Sequence, residues 1–528
     1  MSDHTSPDTA ARTDLVPRQD SAPHAPCPIT ALDAHALSAA IHQRGVSCRE
    51  VMQAYLARID VLNPQFNAIV NLAPAEQLLA QADECDAELA AGRSRGWMHG
   101  MPQAIKDNGQ ALGFPTTLGS PLLAQALPAQ DSTYVARMKA AGCIVVGKTN
   151  MPEFGLGSHT YNALFGPTPN AWDPAVSAGG SSGGAAVALA LHMLPVADGS
   201  DFMGSLRNPA GWNHLYGLRP SLGRVPAFPK PELWVSQLGT DGPMARNVRD
   251  LARLLQTQAG FDPRAPLSLG EPGPLGPVTD TQISQSAGQS SEDPFMPAPD
   301  ASLAGLKIGW LGDLGGHLAV EAGILPLLEQ ALGRGERAGA HVEPVTLDLD
   351  LDRVWNAWLV WRRALVAPSV AAVMGQPNAR ERIKPEALWE HDQAQGLSFA
   401  DFMAASRVRG ELLHGLLRLL ERCDVLALPV APCWPFPLAQ TWPREVAGRA
   451  MDTYHRWMEC TLYATFAGLP ALSVPAGFHA NGRWPLGLQL IGRPRDEAGL
   501  LRLAAGWEAA GIGEPGRAPF SARTAAAA

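Results

Sequence analysis

The sequence predicts an α/β fold in which a central sheet is covered by helices. Two observations carry this reading. Short apolar strand-like runs alternate with helical segments along most of the chain. Apolar residues make up 46% of the chain and charged residues 17%, the balance of a globular protein. With 528 residues there is length for one very large domain or two to four ordinary ones.

The helical signals come first. Asp33 is placed to cap a helix running toward His42. Ser47-Cys48-Arg49-Glu50 has the form of a capping box, and Val51, Tyr55, Ile59 and Leu62 follow at helical spacing. Asn63-Pro64 should end that helix, because proline cannot supply the next hydrogen bond. Residues 75–89 read as a helix with Gly92 beyond its end. Strands and helices then alternate: a strand over 101–105, a helix over 131–140, a buried strand over 144–147, a helix over 185–193 and a strand over 195–197. Farther on come a strand over 306–311, a helix over 324–338 and strands over 425–430 and 471–474.

Two stretches break the pattern. Residues 1–28 are hydrophilic and rich in Ser, Asp, Pro and Ala, and should form a disordered tail ahead of a domain over 29–523. Residues 263–300 are dense in Pro, Gly, Ser and Gln and read as an exposed insertion within that domain. The apolar run over 185–197 contains His192 and Pro195 and is too short to span a bilayer, so no membrane association is expected. The 41 basic and 50 acidic residues leave a net charge of −9, with no electrostatic footprint for nucleic acid. Seven scattered cysteines, an odd number without a Cys-x-x-Cys pair, argue against a disulfide framework or a zinc site and suit a reducing cytoplasm.

The chemistry concentrates between residues 179 and 207. Gly179-Gly180-Ser181-Ser182-Gly183-Gly184 is followed by a short apolar run and then Asp198-Gly199-Ser200-Asp201-Phe202-Met203-Gly204-Ser205-Leu206-Arg207. Serines that can attack or relay a proton stand beside glycines that free backbone N–H groups for an oxyanion. No Gly-Lys-Ser/Thr follows the glycines, so this is not a phosphate-binding P-loop. Gly180-Ser181-Ser182-Gly183-Gly184 matches the Gly-x-Ser-x-Gly elbow in form, but the Pro-rich 167–174 before it cannot be the central strand that an elbow needs. Ser205 sits on a tight turn after a short strand, where several N–H groups can converge. Lys106 stands at a strand end and would act as a base only if burial keeps it neutral. Lys148 is a rival at a second strand end, and the residues alone leave both open.

Taken together these segments resemble the amidase signature family of serine amidases. Pro102-Gln103-Ala104-Ile105-Lys106-Asp107 is similar to the family's lysine strand, with 75 residues from Lys106 to Ser181 and 24 from Ser181 to Ser205. Further matching pieces are Gly113-Phe114-Pro115-Thr116-Thr117-Leu118-Gly119-Ser120, Gly147-Lys148-Thr149-Asn150-Met151-Pro152-Glu153-Phe154 and Asn208-Pro209-Ala210. Ser473-Val474-Pro475-Ala476-Gly477 and Pro485-Leu486-Gly487-Leu488-Gln489 resemble its closing motif, so the likeness covers about residues 30–510.

The resemblance implies a single large domain with a central mixed sheet covered by helices on both faces. It implies Ser205 as nucleophile, Ser181 as a bridge with the Gly180–Ser181 peptide cis, and neutral Lys106 as base. Backbone N–H groups of Phe202, Met203, Gly204 and Ser205 would form the oxyanion hole, and Asp201 and Arg207 would hold the loop. No metal or organic cofactor is implied, and the expected partner is a small amide substrate; a homodimer is left open. Two departures stand out. Met203 occupies a position where the family usually has glycine, either narrowing the acyl pocket or facing the core, and Ser200 replaces the usual threonine.

The implied activity is hydrolysis of a carboxylic amide to acid and ammonia or amine through an acyl-enzyme. Three rivals share the sequence features. One is the glutamine-hydrolysing component of a tRNA-dependent amidotransferase. Another is a catalytically inactive binding protein on the same scaffold. The third is an esterase using Ser182 with His192 or His214.

Overall fold

A computed structural model describes residues 25–269, 295–298 and 300–519, and in it the strands pair into one large sheet and two small ones. The strands are β1 (Ile69–Val70), β2 (Pro102–Lys106), β3 (Ile144–Thr149), β4 (Ala197–Asp201), β5 (Tyr216–Arg219) and β6 (Thr240–Ala245). They continue as β7 (Lys307–Trp310), β8 (His341–Pro344), β9 (Val425–Pro429), β10 (Glu445–Val446), β11 (Arg449–Ala450), β12 (Ala471–Phe478) and β13 (Pro485–Gly492). The large sheet has eight strands in the order β4-β6-β5-β12-β13-β9-β7-β8. It is mixed: β7 runs parallel to β8 and β9, and the other pairings are antiparallel. The strand that follows the Pro/Gly-rich stretch, β7, joins this sheet as expected.

Strands β1, β3 and β2 form a separate three-stranded sheet. Asp198 of β4 ties it to the large one. Its carboxylate accepts from Lys106 N–H at 3.1 Å, Gln103 Nε2 at 3.3 Å and Tyr134 Oη at 3.2 Å. Burial pushes the Asp198 carboxyl up to about 6.

The two faces of the large sheet carry different helices. On one, a Cβ on Gly217 would meet the Leu206 carbonyl at 2.5 Å, so the helix Arg207–Trp212 lies close against β5. Tyr216, one residue along, faces the opposite side and the Glu508 carboxyl of helix Glu497–Ala509. On that side Trp507 Nε1 donates to the Pro475 carbonyl at 2.9 Å.

The local signals for the first helices act as read. Asp33 accepts from Ala36 N–H at 2.6 Å, and Ser47 and Glu50 form the reciprocal capping box. The helix Cys48–Phe66 nevertheless continues through Pro64, where the sequence pattern ends it. Pro64 falls in the last turn, so its missing N–H costs a single helical bond. Left-handed Asn67 closes the helix instead, donating to the Asn63 carbonyl at 2.7 Å, while Asn63 Oδ1 accepts from Ala68 and Ile69 N–H.

The strand expected over 195–197 is β4 at Ala197–Asp201, so residues read as turn are paired strand. The partner β6, not recognised in the sequence, pairs every residue of β4. Residues 1–24 of the expected tail lie outside the described residues, and the helix Pro28–Ala31 begins within it. Residues 270–294 and 299 of the expected insertion, and 520–523 at the domain's expected end, also lie outside them. The insertion's described flanks are anchored: Leu269 N–H donates to the Gly223 carbonyl at 2.9 Å, and Ala265 and Phe295 are buried.

Candidate active site

Lys106 is the last residue of β2, and its side chain is fully buried. Its Nζ donates to Ser181 Oγ at 2.8 Å, Ser182 Oγ at 2.8 Å and Ser200 Oγ at 2.9 Å. The Ser200 carbonyl lies at 3.3 Å. Burial pushes the Lys106 ammonium down to about 7, against the opposing pull of Asp241, Asp201 and Asp198. A lysine in this state is neutral in a large fraction of molecules near pH 7.

Lys148, the rival, points elsewhere. Its Nζ donates to the Gly109 carbonyl at 2.6 Å and pairs with Asp107 at 3.8 Å. Burial lowers it to about 8, with Asp107 opposing. Asp107 also accepts from Gly119 N–H at 3.0 Å and from the Thr117 hydroxyl. The two strand-end lysines therefore serve different surroundings, and Lys106 alone of the two reaches the serines.

Ser181 and Ser205 each keep 4% exposure, whereas Lys106 and Ser182 keep none. The Gly180–Ser181 peptide is cis. Ser182 N–H donates to the Ser205 carbonyl at 3.2 Å, which brings the glycine-rich loop against the turn that carries Ser205. Ser182 Oγ bonds to Lys106 and Ser200, not to a histidine. His192 bonds to the Thr30 carbonyl at 2.8 Å and His214 to the Glu514 carbonyl at 3.0 Å, so neither esterase histidine meets a serine.

The turn Phe202–Ser205 is held from below by Asp201. Its carboxylate accepts from Gly204 N–H at 2.9 Å and Leu206 N–H at 3.1 Å, and from Arg207 Nε at 3.0 Å and Nη2 at 2.9 Å. Burial opposes charge on Asp201, but Arg207 and Arg219 hold its carboxyl well below the usual range. Arg207 is itself fully buried and donates to the Thr461 carbonyl at 2.9 Å, Thr465 Oγ1 at 3.0 Å and Gln489 Oε1. Gly204 has φ +84°, and a Cβ there would meet Thr461 at 2.7 Å, so this position requires glycine.

This arrangement corrects one expected donor. Gly204 N–H is taken by Asp201, so it does not point into an oxyanion site in this conformation. The N–H groups of Phe202, Met203 and Ser205 have no hydrogen-bond partner among the described residues.

Met203 is 2% exposed and packs in the core, with its sulfur 4.0 Å from Arg362 Nη1. Of the two orientations left open by the sequence, this is the core-facing one. Arg362 is a residue that sequence reasoning missed. It donates to Glu390 Oε1 at 2.5 Å and to Tyr454 Oη at 2.5 Å, and lies over the Phe202 ring at 5.6 Å. Phe202 in turn packs on Trp358 with ring centroids 5.7 Å apart. Asn108 was also missed as a support: its Nδ2 donates to Ser200 Oγ at 3.0 Å, beside Lys106. The helical spacing of Trp358 and Arg362 is visible in the sequence, but nothing local links it to residue 202.

Comparison with known proteins shows the family of the chain. The Amidase family profile matches residues 50–501. The A-subunit of the glutamyl-tRNA(Gln) amidotransferase of Ralstonia nicotianae is 34% identical over 507 residues, covering 90% of this chain and 97% of that protein. Its counterpart in Cupriavidus metallidurans is 35% identical, covering 88% and 94%. Among solved structures, a bacterial aryl acylamidase superposes with a TM-score of 0.81 at 28% identity, covering 92% of this chain and 97% of that one. The glutamyl-tRNA(Gln) amidotransferase A-subunit of Thermotoga maritima gives 0.70 at 26% identity, covering 90% and 94%. With the profile spanning most of its length and relatives above 30% identity along nearly all of it, the chain belongs to the amidase signature family.

Proposed function

We propose that the chain hydrolyses a carboxamide through an acyl-enzyme on Ser205. The observation that supports this most is Lys106 Nζ at 2.8 Å from Ser181 Oγ, in a buried site that lowers the lysine's proton affinity. Neutral Lys106 takes the Ser181 hydroxyl proton as Ser181 takes that of Ser205. Ser205 Oγ then bonds to the amide carbon, and the carbonyl oxygen gains the negative charge. The N–H groups of Phe202, Met203 and Ser205 are the donors available for that charge. The proton returns through Ser181 to the amide nitrogen, the carbon–nitrogen bond breaks, and ammonia or amine leaves. Water then attacks the Ser205 ester by the same relay and releases the acid.

For the substrate, the curated relatives favour the rival reading over a free-standing amidase. Those relatives are amidotransferase A-subunits that match over nearly the whole chain, so glutamine becomes the first candidate amide. On this reading the protein works with partner subunits on a tRNA-linked reaction, and the expected absence of a nucleic-acid partner loses its support. The second reading, a free-standing hydrolase of apolar amides, is favoured by the fit to the aryl acylamidase. Seven free cysteines suit a cytoplasmic setting for either. Co-purification from the native host, with glutaminase and anilide hydrolysis measured on the product, separates them. Stable partner subunits with glutaminase activity support the first; a lone chain that cleaves anilides and ignores glutamine supports the second.

A further inference from the structure

In the proposed reaction Lys106 takes up a proton, and the resulting ammonium forms on a side chain that keeps no exposure. A buried positive charge is costly unless a negative charge faces it. Three carboxylates face Lys106: Asp198, Asp201 and Asp241. Two of them are already engaged. Asp201 pairs with Arg207 at 2.9 Å and with Arg219 at 3.6 Å. Asp198 accepts from Lys106 N–H, Gln103 Nε2 and Tyr134 Oη.

Asp241 differs from both. It lies on β6 directly opposite Ser200 of β4. Residues opposed in an antiparallel pair project from the same face of the sheet. Its side chain therefore leaves the sheet on the side where Ser200 Oγ meets Lys106 Nζ at 2.9 Å. Asp241 is half-buried, and among the described residues no hydrogen bond or close ion pair engages its carboxylate. Of the three carboxylates it pulls most strongly on the Lys106 proton.

Few charged or titratable groups surround it. Lys106 faces it from β2, Asp198 from β4 and Tyr134 from the helix Thr133–Ala140, where burial keeps the phenol neutral. Lys230, from the segment between β5 and β6, faces both Asp241 and Glu232. Burial favours the neutral form of Asp241, and Lys230 and Lys106 favour its charge. Its negative charge is thus the one at this site that no arginine and no set of donors has taken up.

We infer that Asp241 is a positioning residue of the proposed reaction, whose charge stabilises the ammonium that forms on Lys106 as Ser205 gives up its proton through Ser181. The inference rests on the hydrolase reading of Ser205. Its test is the rate at which a fluorophosphonate labels Ser205 in the full-length protein across pH, fluoride leaving as Ser205 Oγ bonds to phosphorus. The parent should show a limb at about 7. Asp241→Asn removes the charge and keeps the shape. Its limb should lie about one pH unit lower, and its plateau rate several-fold lower, because the base is weaker. Asp241→Ser should show the same shift, and Asp241→Glu, which restores the charge, should bring the limb back toward that of the parent. An uncharged variant, shown to be folded by its melting curve, whose limb stays at the parent's pH overturns the inference even if its rate falls uniformly, and leaves the hydrolase reading standing. A folded parent whose Ser205 is not labelled overturns both.

Discussion

Lys106 Nζ and Ser181 Oγ stand 2.8 Å apart although 75 residues separate them, and the lysine keeps no exposure. Strand β2 delivers one and the glycine-rich loop the other. Asp198 fixes the height of β2 by accepting from Lys106 N–H itself. The proton affinity of Lys106 is thus set by how the three-stranded sheet docks on β4.

Activity should therefore rise with pH through about 7, as Lys106 loses its proton. Lys106→Ala should remove that limb and lower kcat by about 10³-fold or more. The pH–rate profile of kcat/KM for the two proteins checks this. Normal turnover in Lys106→Ala at neutral pH would transfer the base role to another residue.

Lys106 should also make stability depend on pH. In the unfolded chain the lysine holds its proton up to about 10.5, whereas in the fold it releases it at about 7. Between these values the unfolded state binds more protons, so this group's contribution to stability rises with pH and is least favourable below about 7. Lys106→Met should flatten that slope and raise the melting temperature most at the low end of the window. Melting curves from about pH 6.5 to about pH 10 measure it.

Asp201→Asn should cost about 3–5 kcal/mol at pH 7, because Arg207 is left buried with its charge unmatched. The folded carboxyl lies below its unfolded value of 3.8, so its stabilisation is present above that pH and is lost as pH falls further. Urea denaturation at pH 7 and at pH 3 should show the gap between variant and parent shrinking at the lower pH. Turnover should fall as well, since Asp201 holds the N–H groups of Gly204 and Leu206 on either side of Ser205.

Met203→Ala should lower stability by about 2–5 kcal/mol, the range for truncating a buried side chain. It should leave the ranking of acyl groups unchanged, because Met203 packs on Arg362 in the core. A graded series of acyl amides, run beside the melting curve, tests both statements. A variant of unchanged stability that accepts bulkier acyl groups would place Met203 in the pocket.

Much of this was legible because it is local. The caps at Asp33 and Ser47 act through residues three positions away. The serine–lysine set was legible as a spacing resemblance, not as physics: charge and strand position alone left Lys106 and Lys148 equal. What failed to show was long-range. Pro64 looked like a helix end because the closing role of Asn67 depends on its left-handed backbone. Ser200 and Asp201 looked like turn because β6, about 40 residues on, supplies their pairing. Gly204 looked like a free donor because nothing in the sequence places the Asp201 carboxylate beneath it. Arg362 approaches Phe202 and Met203 from a helix about 160 residues away, and no sequence period announces that contact.

The most direct test of the Ser205 acyl-enzyme is covalent trapping. The folded protein is treated with a slow acylating agent, digested, and mapped by tandem mass spectrometry, with Ser205→Ala as control. The account predicts one stoichiometric adduct on Ser205, absent from the variant and formed faster as pH rises through about 7. An adduct on Ser182 or Ser181 that persists in Ser205→Ala would contradict it.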